Sequence, residues 1–342
     1  MKTKAAILFE QNKPLVIDEV EIPKLVNGQV LVDIHVSRIC GSQIGEIDGV
    51  KGDDKYLPHL LGHEGGGIIV DIGPEVKTVK PGDHVVLHWR PGLGIDSMTP
   101  KYKLGNLTIN AGHITTFNEY AVISENRVTK IDKSICFELA ALMADTITTG
   151  FGLICREANL EIGQSIVIIG IGGIGMGAVL GAHLAGANPI IAVDIYDHKL
   201  KVAKEYGATH IINAFDNDIF KEAKNIIKDL PDVIIEGTGI PDSVENALQH
   251  THSKGKCILF GVMHYREKMS FNPLSLFFGK TLVGSEGGRS LPHIDIPRYL
   301  DIFKARDIKL DSLISHRCNL DQINNAIDSM RNGKSLHTMI HL

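Results

Sequence analysis

Two ionisable side chains stand together in the stretch LLGHEGGGIIV, residues 60–70, where His63 and Glu64 sit between two leucines and three glycines. An imidazole offers a nitrogen lone pair and a carboxylate a negative charge, so the pair is either surface decoration beside a turn or part of a site that needs both. Donors of related kind lie elsewhere: Cys40 in SRICGSQ and Asp145 in LMADTITTGFG. Thiolate, imidazole and carboxylate are the ligand types of zinc, and a catalytic zinc takes about three of them and keeps one position open. Such an ion serves hydride transfer, because it polarises a carbonyl oxygen and lowers the pKa of an alcohol. None of these residues forms a local zinc motif. By type and spacing alone Cys40 is equally readable as a small buried hydrophobe, His63 as a hydrogen-bonded histidine and Asp145 as a helix or turn cap.

A second chemical signal is GIGGIG, residues 170–175, between the apolar run SIVII and the helical pattern GMGAVLGAHLAGA. In G-x-G-x-x-G, Gly170 permits the tight turn, Gly172 lets a pyrophosphate approach the backbone and Gly175 lets the helix lie close to the strand. Gly173 and Ile174 complete a loop whose N–H groups and helix dipole suit phosphate. Asp194 follows Gly175 by nineteen residues, at the end of PIIAV. A carboxylate there accepts from an adenosine ribose and repels a 2′-phosphate, which predicts NAD rather than NADP; alternatively it caps the next helix. Lys199 is placed to reach the same ribose or to sit solvated on its helix.

The elements that must position these groups divide the chain in two. Up to residue 145, short β-rich runs (VLVDIHV, GIIVDI, HVVLHW, EYAVI) alternate with Gly, Pro and Asn turns, which predicts a compact, partly closed β domain. From 146 to 287, the runs SIVIIG, PIIAVD, THIIN, DVIIEG, KCILFG and TLVGS alternate with helical patterns, which predicts a doubly wound parallel sheet. Residues 288–342 carry two helical patterns and are expected to return to the first domain. A carboxylate at the junction, Asp145, would suit a site in a cleft between domains.

The totals narrow the function. Hydrophobic residues make up 44% and charged residues 22% of 342, the formal net charge is -5, and there is no basic run, so nucleic acid is an unsuitable partner. No apolar run reads as a signal peptide or a membrane span. Five scattered cysteines without a CxxC pair suit a reducing cytoplasm rather than a disulfide framework.

In sequence order, CGS at 40–42, GHEGGG at 62–67, GDHVV at 82–86, TTGFG at 148–152, GIGGIG at 170–175 and NGKS at 332–335 resemble the zinc-dependent alcohol dehydrogenases of the medium-chain dehydrogenase family, over nearly the whole chain. The resemblance implies an α/β protein with a GroES-like β-rich catalytic domain (1–145 and 288–342), a Rossmann NAD-binding domain (146–287) and one catalytic zinc. Cys40 and His63 match the first two ligands. Asp145 stands where many members have cysteine and some bacterial secondary alcohol dehydrogenases have aspartate. Glu64 matches an acid close to the metal, Ser42 the hydroxyl that takes the alcohol proton, Trp89 an aromatic lining the substrate pocket, and Thr149 a contact on the nicotinamide side.

Four positions depart from the pattern. The lobe from Arg90 to His113 contains no cysteine, so no structural zinc is expected. Gly45 stands where a relay histidine is usual. Gln43 replaces an aspartate that bonds the ligand histidine, and its amide oxygen is expected to accept that bond. His337 stands where an arginine grips the pyrophosphate, which implies a weaker or pH-sensitive hold. The implied function is hydride transfer between NAD and an alcohol, polyol or sugar-derived alcohol, by a homodimer or homotetramer. Two other readings stay open: a zinc-free quinone- or enoyl-type reductase, and a non-catalytic NAD-binding sensor.

Overall fold

The computed structural model describes residues 1–342, which form two units, Met1–Asp145 with Leu291–Leu342, and Thr146–Ser290. In the first unit a sheet runs in the order Val128–Ile131, His84–His88, Glu64–Ile72, Gln29–Arg38, His337–His341, Ile314–Asn319, with Tyr120–Ser124 also paired to Gln29–Arg38. A small closed barrel of Lys2–Leu8, Val16–Glu21, Lys101–Leu104, Leu107–Asn110 and His59–Leu60 completes it. Val30, Val32 and Ile34 of the strand Gln29–Arg38 pack with Ile69, Val85, Leu87 and Ile123 into one core cluster. The C-terminal segment belongs to this unit because His337–His341 pairs antiparallel with Gln29–Arg38, opposite Val36, Ser37 and Arg38.

The cysteine-free lobe is tied down by hydrogen bonds. The buried Glu125 carboxylate accepts from Lys77 N, Thr78 N and Thr78 Oγ1 through one oxygen and from Ile95 N through the other, at 2.7–2.9 Å. Ser124 Oγ accepts from Ser97 N and donates to Ile95 O, and Gln29 Nε2 donates to Met98 O.

The second unit is a six-stranded parallel sheet with strand order 3-2-1-4-5-6 counted along the chain, from Ile166–Ile169 to Thr281–Gly284. The six strands are those the apolar runs predicted, and four of them are apolar on both faces because helices cover the sheet.

One long helical segment, Phe137–Ala158, has the length and composition of a membrane span, but 83% of its apolar window is buried in the protein, which makes it a core helix. Its Met143–Ile147 stretch is a wider, π-type turn.

Candidate metal centre and coenzyme loop

Each candidate ligand is placed by a different local device. Cys40 ends the run that follows the strand Gln29–Arg38 and caps the seven-residue helix Gly41–Ile47. Gln43 Oε1 accepts from Cys40 N at 2.8 Å, so its amide holds the thiol's backbone; the expected bond to the ligand histidine is corrected on this point. His63 follows Gly62, whose φ of 92° makes the turn into Glu64–Ile72. Asp145 sits in the π-type turn, a distortion that projects one side chain out of helical register. The glycines after Glu64 explain how that helix reaches the sheet: a Cβ on Gly66 would lie 2.8 Å from Ala140 Cβ and 3.0 Å from Phe137 O. With no side chain there, the helix start lies flush on the strand.

The ligand atoms of Cys40, His63, Glu64 and Asp145 all lie within 4.8 Å of one another, and Cys40, Glu64 and Asp145 are buried. Zinc bonds of about 2.0–2.3 Å draw a tetrahedron with edges of roughly 3.3–3.8 Å, so these donors fit a zinc ion after a small contraction. A second trio, Glu46, Asp54 and His59, is already closed, with His59 Nε2 2.7 Å from Asp54 Oδ2 and Nδ1 2.9 Å from Leu60 O.

Around the four donors, Ser42 Oγ lies 3.3 Å from His63 Nε2 and 3.4 Å from Cys40 Sγ. Trp89 Nε1 donates to Asp145 Oδ1 at 3.1 Å, a bond the sequence did not reveal. His88, one residue earlier, is wholly buried between Arg90 O at 2.8 Å and Thr129 Oγ1 at 2.8 Å. Burial pushes its imidazole down to about 3, so it is a neutral strut at the end of the strand His84–His88, next to Trp89.

Glu64 is fully buried, and burial raises its carboxyl; the Arg38 guanidinium opposes that shift, and Cys40 and Asp145 add to it. Arg38 Nη1 donates to both Glu64 oxygens, which sets a guanidinium directly against this buried carboxyl. Arg38 Nε donates to His337 Nδ1 at 2.7 Å. His337 is 0% exposed, so it offers no surface to a pyrophosphate, and burial followed by the Arg38 charge holds it far below its ordinary pKa. The expectation of a pH-sensitive coenzyme grip at this position is corrected accordingly. Arg38 escaped the sequence reading, although an arginine in the otherwise apolar HVSRIC was its signal.

In the second unit Gly170 has φ 89°, and a Cβ on Gly175 would lie 2.1 Å from Gly170 O, so both glycines are required by the turn and the strand–helix contact. Gly172 faces open space and precedes the helix Gly173–Ala185, which includes Ile174. Asp194 ends its strand and is held beside the loop, its oxygens accepting from Ile171 N at 2.8 Å and Tyr196 N at 3.0 Å. Lys199 lies over the Tyr196 ring at 4.7 Å. Thr149 is buried in the stretch Thr148–Gly152.

Residues 26–133 match the family described as alcohol dehydrogenase GroES-like domain, and residues 173–305 match that described as zinc-binding dehydrogenase. The S-(hydroxymethyl)glutathione dehydrogenase of Paracoccus denitrificans is 31% identical over 375 residues, spanning 99% of this chain and 100% of the relative. Alcohol dehydrogenase 6 of Peromyscus maniculatus is also 31% identical, across 99% of this chain and 98% of its own. Among solved structures, benzyl alcohol dehydrogenase from Acinetobacter calcoaceticus superposes with a TM-score of 0.90 at 28% identity, covering 100% of this chain and 99% of that one. An alcohol dehydrogenase zinc-binding domain protein from Burkholderia ambifaria gives 0.91 at 28% identity, with the same coverage.

Proposed function

Because the chain belongs to the zinc-dependent alcohol dehydrogenases of the medium-chain family, oxidoreductases acting on CH–OH groups, we propose that it oxidises an alcohol, polyol or sugar-derived alcohol with NAD, using a single catalytic zinc held by Cys40, His63 and Asp145. The convergence of those side chains and Glu64 within 4.8 Å carries the reading. When bound, zinc acts as the Lewis acid that lowers the pKa of the substrate hydroxyl and polarises the carbonyl in reverse. Ser42 Oγ, beside both Cys40 and His63, accepts the alcohol proton and passes it outward, since a hydroxyl accepts and donates at once. Gly45 supplies no side chain to receive it, so the proton leaves to water. Trp89 donates to Asp145 Oδ1 and would orient that carboxylate for a bound ion.

The loop from Gly170 to Gly175 receives the pyrophosphate at the helix N-terminus. Asp194 accepts from the adenosine ribose and disfavours a 2′-phosphate, which supports NAD over NADP; Lys199 and Thr149 are assigned to the ribose and the nicotinamide side. The free cysteines suit a reducing compartment. We assign a homodimer or homotetramer, to be checked by light scattering.

The test is metal analysis of protein purified without chelator, joined to an NAD-reduction screen over alcohols, polyols and sugars. The expected result is one zinc per chain and turnover that a chelator abolishes. Chelator-insensitive turnover without metal would instead identify a zinc-free reductase, and NADH binding with no turnover a sensor module.

A further inference from the structure

The cation next to the proposed metal site does not come from the position at which the family resemblance puts an arginine. His337 occupies that position, and Arg38, on the neighbouring strand, supplies the charge. The two strands are hydrogen-bonded neighbours, with Arg38 opposite Met339, two residues beyond His337. In the other direction the register pairs Ser37 with Gly65, which brings Arg38 beside Glu64. The guanidinium is thus held from both sides. Nη1 meets both Glu64 oxygens at 2.5 Å, and Nε donates to His337 Nδ1 at 2.7 Å. A ring that accepts at Nδ1 carries its proton on Nε2, so His337 acts as a neutral acceptor that turns the fork toward Glu64.

Glu64 is otherwise fitted to be a ligand. Its oxygen belongs to the same 4.8 Å cluster as Cys40, His63 and Asp145, and Oε1 is 3.7 Å from His63 Nε2. Four protein ligands close a zinc site, whereas three leave a position for a reacting molecule. We propose that Arg38 is a positioning residue that withholds Glu64 from the metal, so that the fourth position stays open to substrate, and that His337 holds Arg38 to this task. The inference rests on the proposed three-ligand zinc reading and adds the residue that sets its coordination number. It also gives the arginine a task among buried strand residues: its charge stands beside Glu64.

The test uses cobalt(II) in place of zinc, read by its visible absorption, with imidazole as a probe of the open position and a competing chelator to measure affinity. In the unmodified protein, imidazole changes the cobalt spectrum. In Arg38→Met the freed Glu64 joins the ion, so the affinity for cobalt rises about tenfold or more and the spectrum stops responding to imidazole. Arg38→Met combined with Glu64→Gln regains the imidazole response, because the added ligand is gone. Arg38→Met combined with His337→Arg regains it by returning the guanidinium from the other strand. Should Arg38→Met fail to fold, Arg38→Lys compared with Arg38→Lys/Glu64→Gln makes the same comparison, since an ammonium lacks the fork needed to hold both partners. The proposal is overturned if the arginine variants respond to imidazole as the unmodified protein does, or if they lose affinity equally with and without Glu64, which is the signature of a merely structural arginine. An unmodified protein that takes up no cobalt refutes the metal reading itself, and this inference with it.

Discussion

Substituting Trp89 by phenylalanine keeps an aromatic ring at that position and removes one donor, the indole N–H that reaches Asp145 Oδ1 at 3.1 Å. Hydrogen bonds to charged groups contribute about 1.5–3 kcal/mol net. Trp89 is half-buried, so water can partly replace the lost donor, while Asp145 itself is buried, which limits that replacement. The lower part of the range is therefore expected, about 1.5 kcal/mol, or roughly a tenfold loss of zinc affinity, consistent with the 10–100-fold cost of removing an outer partner of a metal ligand. Competition between the protein and a chelator of known zinc affinity measures it, with a melting curve of each metal-free variant as control. If Trp89→Phe binds zinc within twofold of the parent while its melting temperature falls, the indole serves packing alone and the orientation argument for Asp145 fails.

Replacing Asp194 by serine removes the proposed ribose acceptor and its repulsion of a 2′-phosphate, so the ratio of kcat/KM for NAD over NADP should fall about 10–100-fold; an unchanged ratio would show that Asp194 serves only the Ile171 and Tyr196 amides. Gly66→Ala drives a methyl against Ala140 and Phe137 O, for a loss of about 1–3 kcal/mol in urea unfolding. Adding Ala140→Gly should recover part of it, and no recovery would place the strain elsewhere. Because the folded protein keeps His88 neutral down to about pH 3, the unfolded chain binds that proton first as pH drops below 6.5. Stability from this group is complete above pH 6.5 and declines on acidification, by roughly 3 kcal/mol at pH 4, and the decline should be shallower in His88→Gln.

The parts of this protein that can be read from sequence are those whose geometry is local. The glycine loop announces itself because strand, turn and helix are contiguous, and Asp194 lies one strand further on. The six apolar runs of the second unit became its six strands because a sheet covered on both faces tolerates no polar alternation. The proposed metal donors were visible as residue types, but their meeting depends on the π-type turn at Asp145 and on the glycine-backed contact of a helix with a strand. Neither feature has a short-range signature. The helix Gly41–Ile47 was missed because two glycines in seven residues depress its propensity, and the Cys40–Gln43 capping pair compensates. Arg38 and His337 are 299 positions apart in sequence, and only strand register makes them neighbours. The position of His337 in an inferred motif suggested a coenzyme contact, whereas the structure gives its Nδ1 the Arg38 guanidinium as partner.

The lobe that follows Trp89 holds its shape through Glu125, Ser124 and Gln29 rather than through thiolates. Those bonds draw on no thiol, since residues 90–113 contain no cysteine. A chain that awaits the proposed zinc would already carry this outer framework, and proteolytic nicking between residues 90 and 113 should proceed at the same pace before and after chelation.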